Sequence, residues 1–393
     1  MPKRIVVYLL VLVGMGVAVY LRELSAPVAA AQATGVQSGT VDPLLEVAVP
    51  TAEPVRRLMD APGFVDPYNA ERMENHLAGM YDETGVDIRF IFEREIADDL
   101  ESFALRRARQ LGLGRDTDRR GLLFVYDVRG QRMRIEVGPG LEGIFPDGFV
   151  GYLMREQTAA FFAAGDRMAG IKSTLFVVNH RLREAALGQN FNPRAIAYIT
   201  DSVRLAAGAG VSARAPLGTD RTASTRFATT DVRARFGAQP TVAQTLARYH
   251  EALRDGYHQP DLPLYAPGTE SILRRFPIAK PFAGFILVAE YGHKYTIVER
   301  GDLAILFFTT TPLVSAHLFR RSAAGWQLDL EAEVRNTREL ISGGYTWMWL
   351  PSGDAYSLTF SDLFSRVSDK TYQGFKVLRP THGDNRRLPT RLP

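Results

Sequence analysis

Leu122-Leu123-Phe124-Val125-Tyr126, set between Arg119-Arg120-Gly121 and Asp127, is a near-continuous apolar run. A strand with that pattern is buried on both faces, so helices must cover both sides of its sheet. The run therefore decides for an α/β layer structure with a mostly parallel sheet. Upstream, Val86-Asp87-Ile88-Arg89-Phe90-Ile91-Phe92 alternates toward a second strand. Before it, Met73, Leu77, Met80 and Tyr81 recur at helical spacing, Asp66-Pro67 has the form of an N-cap followed by a helix-opening proline, and Gly85 closes the helix. Leu100, Phe103, Ala104, Ala108 and Leu111 mark another helix, and Phe149 to Phe162 and Met168 to Ala186 two more.

Downstream, a strand from Met133 to Val137 leads into Gly138-Pro139-Gly140-Leu141-Glu142-Gly143, a literal GxGxxG. A dinucleotide site needs the third glycine to open a helix and an acid about 20 positions on for the ribose. Here Pro146 biases Phe145 away from helical angles, and the acid at the right distance, Glu156, lies in a helical pattern. The glycines read as an irregular loop. Gly165-Asp166-Arg167-Met168-Ala169-Gly170-Ile171-Lys172-Ser173 fails as a phosphate cradle too, since Lys172 does not directly follow the glycine and the flank is helical. No nucleotide cofactor is expected.

Arg119 to Asp127, Arg132 to Gly138, Gly140 to Gly143, Phe161-Phe162 and Gly165-Asp166, in that order, resemble the TPM domain family, named for thylakoid, phosphatase and membrane proteins. The resemblance runs over about residues 62–187 and takes in Val65-Asp66 and Glu83-Thr84-Gly85, while Leu111-Gly112-Leu113-Gly114 stands where the family often has a Trp-Gly-Ile-Gly type segment. It implies an acidic cluster at the sheet edge that holds a divalent cation, calcium or else magnesium, and the matching positions are Asp66, Asp127, Glu142, Asp147 and Asp166. The chemistry is consistent, because hard cations take oxygen ligands and Asp127 ends the central strand, where open α/β sheets bind ligands. The plainer reading makes Asp66 a helix cap, Asp147 and Asp166 turn stabilisers, and Asp127 and Glu142 solvated.

The chain has 393 residues, a net charge of +4 spread along its length, and no cysteine. Disulfides, thiolate ligands and cysteine nucleophiles are excluded, and no nucleic-acid partner is expected. Lys3-Arg4 precedes an apolar stretch from Ile5 to Leu21, at the short end of the ~17–25 residues that span a bilayer, so residues 1–24 read as a membrane anchor with the rest outside the cytoplasm, in the periplasm. The alternative is secretion after cleavage near Ala29-Ala30-Ala31. Residues 25–61 read as a flexible stalk and 188–240 as a linker with a helix at Arg194 to Ala206.

Residues 241–393 carry helices around Leu246, Tyr249 and Leu253 and near Ser271, then strands at Phe285 to Tyr291, Tyr295 to Glu299, Leu303 to Thr309, Ser315 to Arg321 and Trp326 to Val334. This predicts a separate α+β domain with a curved antiparallel sheet, similar in element order to nuclear-transport-factor-like cones. His317 with Asp329 or Glu331 is a candidate acid/base pair inside it. The combined expectation is a membrane-anchored TPM protein that binds a cation and supports assembly or maintenance of a membrane or envelope complex, its partner a membrane or envelope protein. A metal-dependent acid phosphatase is the alternative implied by the resemblance, although neither a G-x-S-x-G elbow nor an H-E-x-x-H helix occurs.

Overall fold

A computed structural model describes residues 55–199, 210–218, 227–275, 278, 280–311, 313–339, 347–372, 375–380 and 391–392. Its first unit contains, in chain order, Leu58–Asp60 (β1), Pro67–Thr84 (α1), Asp87–Glu93 (β2), Leu100–Gln110 (α2), Gly121–Asp127 (β3) and Arg132–Val137 (β4). Asp66 caps α1 by accepting from the Asn69 N–H at 3.1 Å, and Gly85 ends it at φ 72°. β1, β2 and β3 are parallel, and β4 runs antiparallel to β3. β3 is buried along its whole length. Alternation sends Leu122, Phe124 and Tyr126 into the cluster that includes α1, and Leu123 and Val125 into a separate cluster with Leu100 and Ala104 of α2. Both faces are covered, as the apolar run requires.

The GxGxxG segment is a backbone clasp. The Gly138 N–H donates to the Gly121 carbonyl at 2.8 Å, and Pro139–Leu141 form a single 3-10 turn. A Cβ on Gly138 would stand 2.3 Å from the Arg119 carbonyl oxygen, and one on Gly140 2.4 Å from that of Asp118. Both glycines are required by this close approach to the turn that opens β3.

Asp147–Tyr152 (α3), a π-helical turn over Leu153–Thr158, Ala159–Ala163 (α4) and Arg167–Ala186 (α5) follow. The segment expected to be a linker with one helix gives that helix at Pro193–Ile199 (α6), and beyond it Gly210–Arg214 (β5) and Thr230–Arg235 (α7). β5 pairs antiparallel with β4 and completes the five-stranded sheet. The open edge of β4 presents unpaired backbone groups that any adjacent extended chain satisfies, so a stretch without strand composition becomes a strand.

The second unit contains Val242–Arg254 (α8), Thr269–Arg275 (α9) and Lys280–Glu290 (α10), then Tyr295–Arg300 (β6), Leu303–Phe308 (β7), His317–Ser322 (β8) and Gly325–Leu328 (β9) in an antiparallel meander. Leu330–Asn336 (α11), Thr337–Glu339 (β10), Trp347–Trp349 (β11), Ala355–Thr359 (α12), Phe364–Tyr372 (β12) and Phe375–Pro380 (β13) add a second antiparallel sheet, ordered β10-β11-β13-β12. Two expectations are corrected. Phe285 to Tyr291 belongs mostly to a helix, because a helix buried all round shows the same unbroken apolar run as a buried strand. Trp326 to Val334 splits at Asp329, whose carboxylate accepts from the Ala332 N–H at 3.0 Å and starts α11.

The two units share part of their cores, although a smaller cluster with Ile305, Trp347 and Phe364 belongs to the second unit alone. One apolar cluster runs through both. Phe285 of α10 meets Phe176 of α5 at 4.9 Å, Tyr198 stacks on Tyr291 at 4.1 Å, and the Gln157 side-chain amide donates to the Pro281 carbonyl at 2.5 Å. The Ile5 to Leu21 run and nearly all of the stalk lie outside the described residues; among those described, no helix is long and apolar enough to cross a membrane. Removing the Phe285 ring, which is 1% exposed, should cost about 3–5 kcal/mol. Because the core is shared, denaturant unfolding of Phe285→Ala followed by near-UV and far-UV circular dichroism should show one coincident transition at lower midpoint; loss confined to a separate second-unit transition would contradict the shared core.

Candidate functional site

The acids singled out in the sequence occupy three places. Asp127, 1% exposed, points to the α2 side of the sheet. One oxygen accepts from the Gly130 N–H at 2.9 Å, and the other accepts the Arg132 guanidinium at 2.7 and 3.1 Å, while Arg132 also reaches the Ile96 carbonyl at 2.8 Å. Asp66 and Asp166 lie beyond the opposite face, where both act electrostatically on the half-buried Lys172. Each is an N-cap, Asp166 accepting from the Ala169 N–H at 3.0 Å. Slight burial pulls the Asp66 carboxyl upward, but its Asn69 hydrogen bonds outweigh this and hold it below the usual carboxylate range.

Glu142 follows β4, whose last residue Val137 pairs with Leu122, so it sits at the opposite end of β3 from Asp127. A seven-residue strand spans roughly 20 Å. Asp147 lies near Glu142; burial and that like charge raise its carboxyl, against Arg134. The expected convergence of Asp66, Asp127, Glu142, Asp147 and Asp166 is thus not formed. The antiparallel return of β4 separates the ends, and strand alternation separates the faces. Among the described residues no group of three or more His, Asp or Glu is placed to hold a metal ion.

A cleft does open where the two units meet, with a volume of about 260 Å³. Its apolar wall is Phe149, Val177, Phe191, Phe285 and Val288, and its polar groups include His180, Arg181, Glu184, His293, Asn190 and Asn192. Helical spacing puts His180 and Glu184 one turn apart on α5. The buried Arg181 is fixed by the Ile144 carbonyl at 2.9 Å, the Gln189 carbonyl at 3.1 Å and Glu184 at 3.0 Å. Burial opposes ionisation of Glu184, yet the neighbouring His180 and Arg181 hold its carboxyl below the usual range. His180 Nε2 is buried without a hydrogen bond; Glu184 Oε1 stands 3.5 Å away. His293 Nδ1 pairs with the Thr310 hydroxyl at 3.0 Å, and burial lowers its imidazole below the ordinary value.

Residues 58–179 match the family model of the TPM domain. This stretch is a TPM domain. The solution NMR structure of the N-terminal domain of a protein from P. gingivalis is similar at 27% identity, covering 36% of this chain and 90% of that one, with a TM-score of 0.32. No curated protein matches. The TPM domain contributes Phe149 and Val177 to the cleft, and the residues from His180 onward lie past the matched stretch.

Beyond the TPM domain, sequence reasoning missed a buried ionic array. His317 contacts Glu290 through Nε2 at 3.1 Å and Glu333 through Nδ1 at 3.0 Å, and His250 Nε2 lies 2.7 Å from the same Glu290 carboxylate. The expected partners are engaged elsewhere: Asp329 accepts from Arg320 at 3.2 Å and from the Tyr356 hydroxyl at 3.0 Å, and Glu331 pairs with Arg335. A usable signal was Glu290 itself, a lone acid closing an apolar helix. Burial works against charge on His317, but Glu290 and Glu333 outweigh it and raise the imidazole well above its ordinary value. Burial likewise opposes charge on Glu290, and the two histidines overcome it, holding its carboxyl at about 2.

Two outcomes follow for stability. Asp127→Asn should cost about 1–3 kcal/mol by weakening a buried hydrogen-bonded carboxylate, with the same shift in melting temperature in calcium and in chelator; a calcium-dependent shift lost in the variant would restore a cation role for Asp127. His317 has a raised folded pKa, so its stabilisation is complete below about pH 6.5 and declines as pH rises toward the folded value. Glu290, being depressed, acts oppositely, and its contribution is lost as pH falls from about 4.5 toward 2. Urea titrations from pH 6 to 9 should therefore show a steeper alkaline loss in wild type than in His317→Gln, and parallel curves would show that His317 carries no extra proton in the fold.

Proposed function

We propose that the protein is a membrane-anchored TPM-domain protein, held outside the cytoplasm, that acts as a binding and assembly module for a membrane or envelope complex. The observation that carries this reading is the use made of the acids a hydrolase would need: Asp127 locks the β3–β4 turn through Gly130 and Arg132, and Asp66 and Asp166 cap helices. The Ile5 to Leu21 run after Lys3-Arg4 supports the anchor and its orientation. The continuous core supports a rigid module, since a large apolar interface suppresses relative motion of units. A five-carboxylate cation centre is not part of this reading, because its members stand at both ends and on both faces of the sheet.

The test is fractionation and enzymology on the full chain. Wild type should sediment with membranes and be open to external protease in spheroplasts, whereas replacement of Ile5 to Leu21 by a cleavable signal should release it. Hydrolysis of p-nitrophenyl phosphate, with magnesium, calcium or chelator, should stay at the level of a heat-denatured control. Metal-dependent hydrolysis abolished by Asp127→Asn would instead establish the phosphatase.

A further inference from the structure

The cleft between the TPM domain and the second unit has features beyond those of a packing defect. Its volume of about 260 Å³ exceeds the roughly 150 Å³ of an apolar cavity that accepts a benzene ring, leaving room for a polar substituent. Three phenylalanine rings and the His180 imidazole face it, with Phe149 and Phe191 edge-on at 5.4 Å and His180 edge-on to Phe285 at 5.6 Å. Edge-to-face surroundings favour an aromatic guest over an aliphatic one. The fixed charges are already spent on each other, since Arg181 and Glu184 pair at 3.0 Å. A charged ligand would be desolvated there without a free counter-charge, so the site selects an uncharged one. One polar demand is met only loosely, that of the buried His180 Nε2, which makes no hydrogen bond and has Glu184 Oε1 no closer than 3.5 Å.

We propose that this cleft binds a compact uncharged aromatic ring bearing one hydrogen-bonding group, of the phenol or indole class. The hydroxyl or ring N–H would meet His180, and the ring would lie against Phe285 and Phe191. The same chemistry is presented by a free aromatic compound and by a tyrosine or tryptophan side chain of another protein. Because the walls come from α5, α10 and the loop around Asn190, occupancy ties the TPM domain to the second unit.

Titration of the full chain in detergent with p-cresol, indole, toluene and benzoate, followed by ligand-observed NMR and calorimetry, tests the assignment. One saturable site for p-cresol and indole is expected, with toluene weaker by about tenfold, the size of one hydrogen bond, and benzoate weaker still. Val288→Trp should fill the cleft and abolish binding. His180→Phe should bring p-cresol down to the affinity of toluene without moving toluene, which keeps the test decisive if Val288→Trp folds poorly. N-acetyltyrosinamide binding more tightly than p-cresol would assign the site to a protein side chain, and weaker binding to a free compound. Absence of saturable binding at millimolar ligand, equal affinity for toluene and p-cresol, or binding that survives Val288→Trp with an intact near-UV spectrum would overturn the proposal.

Discussion

The burial of β3 on both faces is the constraint from which the TPM domain follows. A strand whose every side chain must leave water needs two apolar layers, and α1 with Phe162 of α4, whose ring meets Tyr126 at 5.1 Å, supply one while α2 supplies the other. The strand then ends in a tight return to β4, and Asp127 makes that return: its carboxylate holds the turn backbone and the first side chain of the next strand together. Replacing water around a fully buried carboxylate demands such dense hydrogen bonding. The acid that ends the central strand is thereby committed to geometry.

Much of this was legible in the residues. Leu122 to Tyr126 announced two covered faces, Asp66-Pro67 announced the start of α1, and Gly138 to Gly143 was correctly read as a loop. The illegible parts share a cause, which is that they depend on what lies across the fold. Gly210 to Arg214 is a strand only because the β4 edge is open beside it. Phe285 to Val288 carries no period that separates a helix from a strand, and burial on all sides erases the distinction. The acids were gathered in error because parallel strands bring their ends to one edge, whereas β4 runs backward, and no local signal in Arg132 to Val137 states its direction.

The candidate cleft was harder still to foresee. Its apolar wall combines Phe149, Phe191 and Phe285, separated widely in sequence, and its charges come from one face of α5. His180 and Glu184 show helical spacing, but His293 is brought to them only by the docking of the second unit. The buried array had one sequence marker, the glutamate that closes α10, and its histidine partners come from α8 and β8. Such an array is poor evidence for net stability, since desolvation offsets much of the Coulombic gain, while removal of one member leaves an uncompensated charge. Its members can therefore be exchanged far more readily together than singly.

Helix α10 links these two observations. Its Phe285 is wedged against the TPM domain, and its last residue, Glu290, sits between two histidines in the other half of the molecule. Less than two turns of backbone separate them, and a helix transmits rotation about its axis with little loss over that length. A small turn of α10 would carry the ring and the carboxylate through the same angle. The aromatic contact and the buried charges are thus set by the orientation of one and the same short helix.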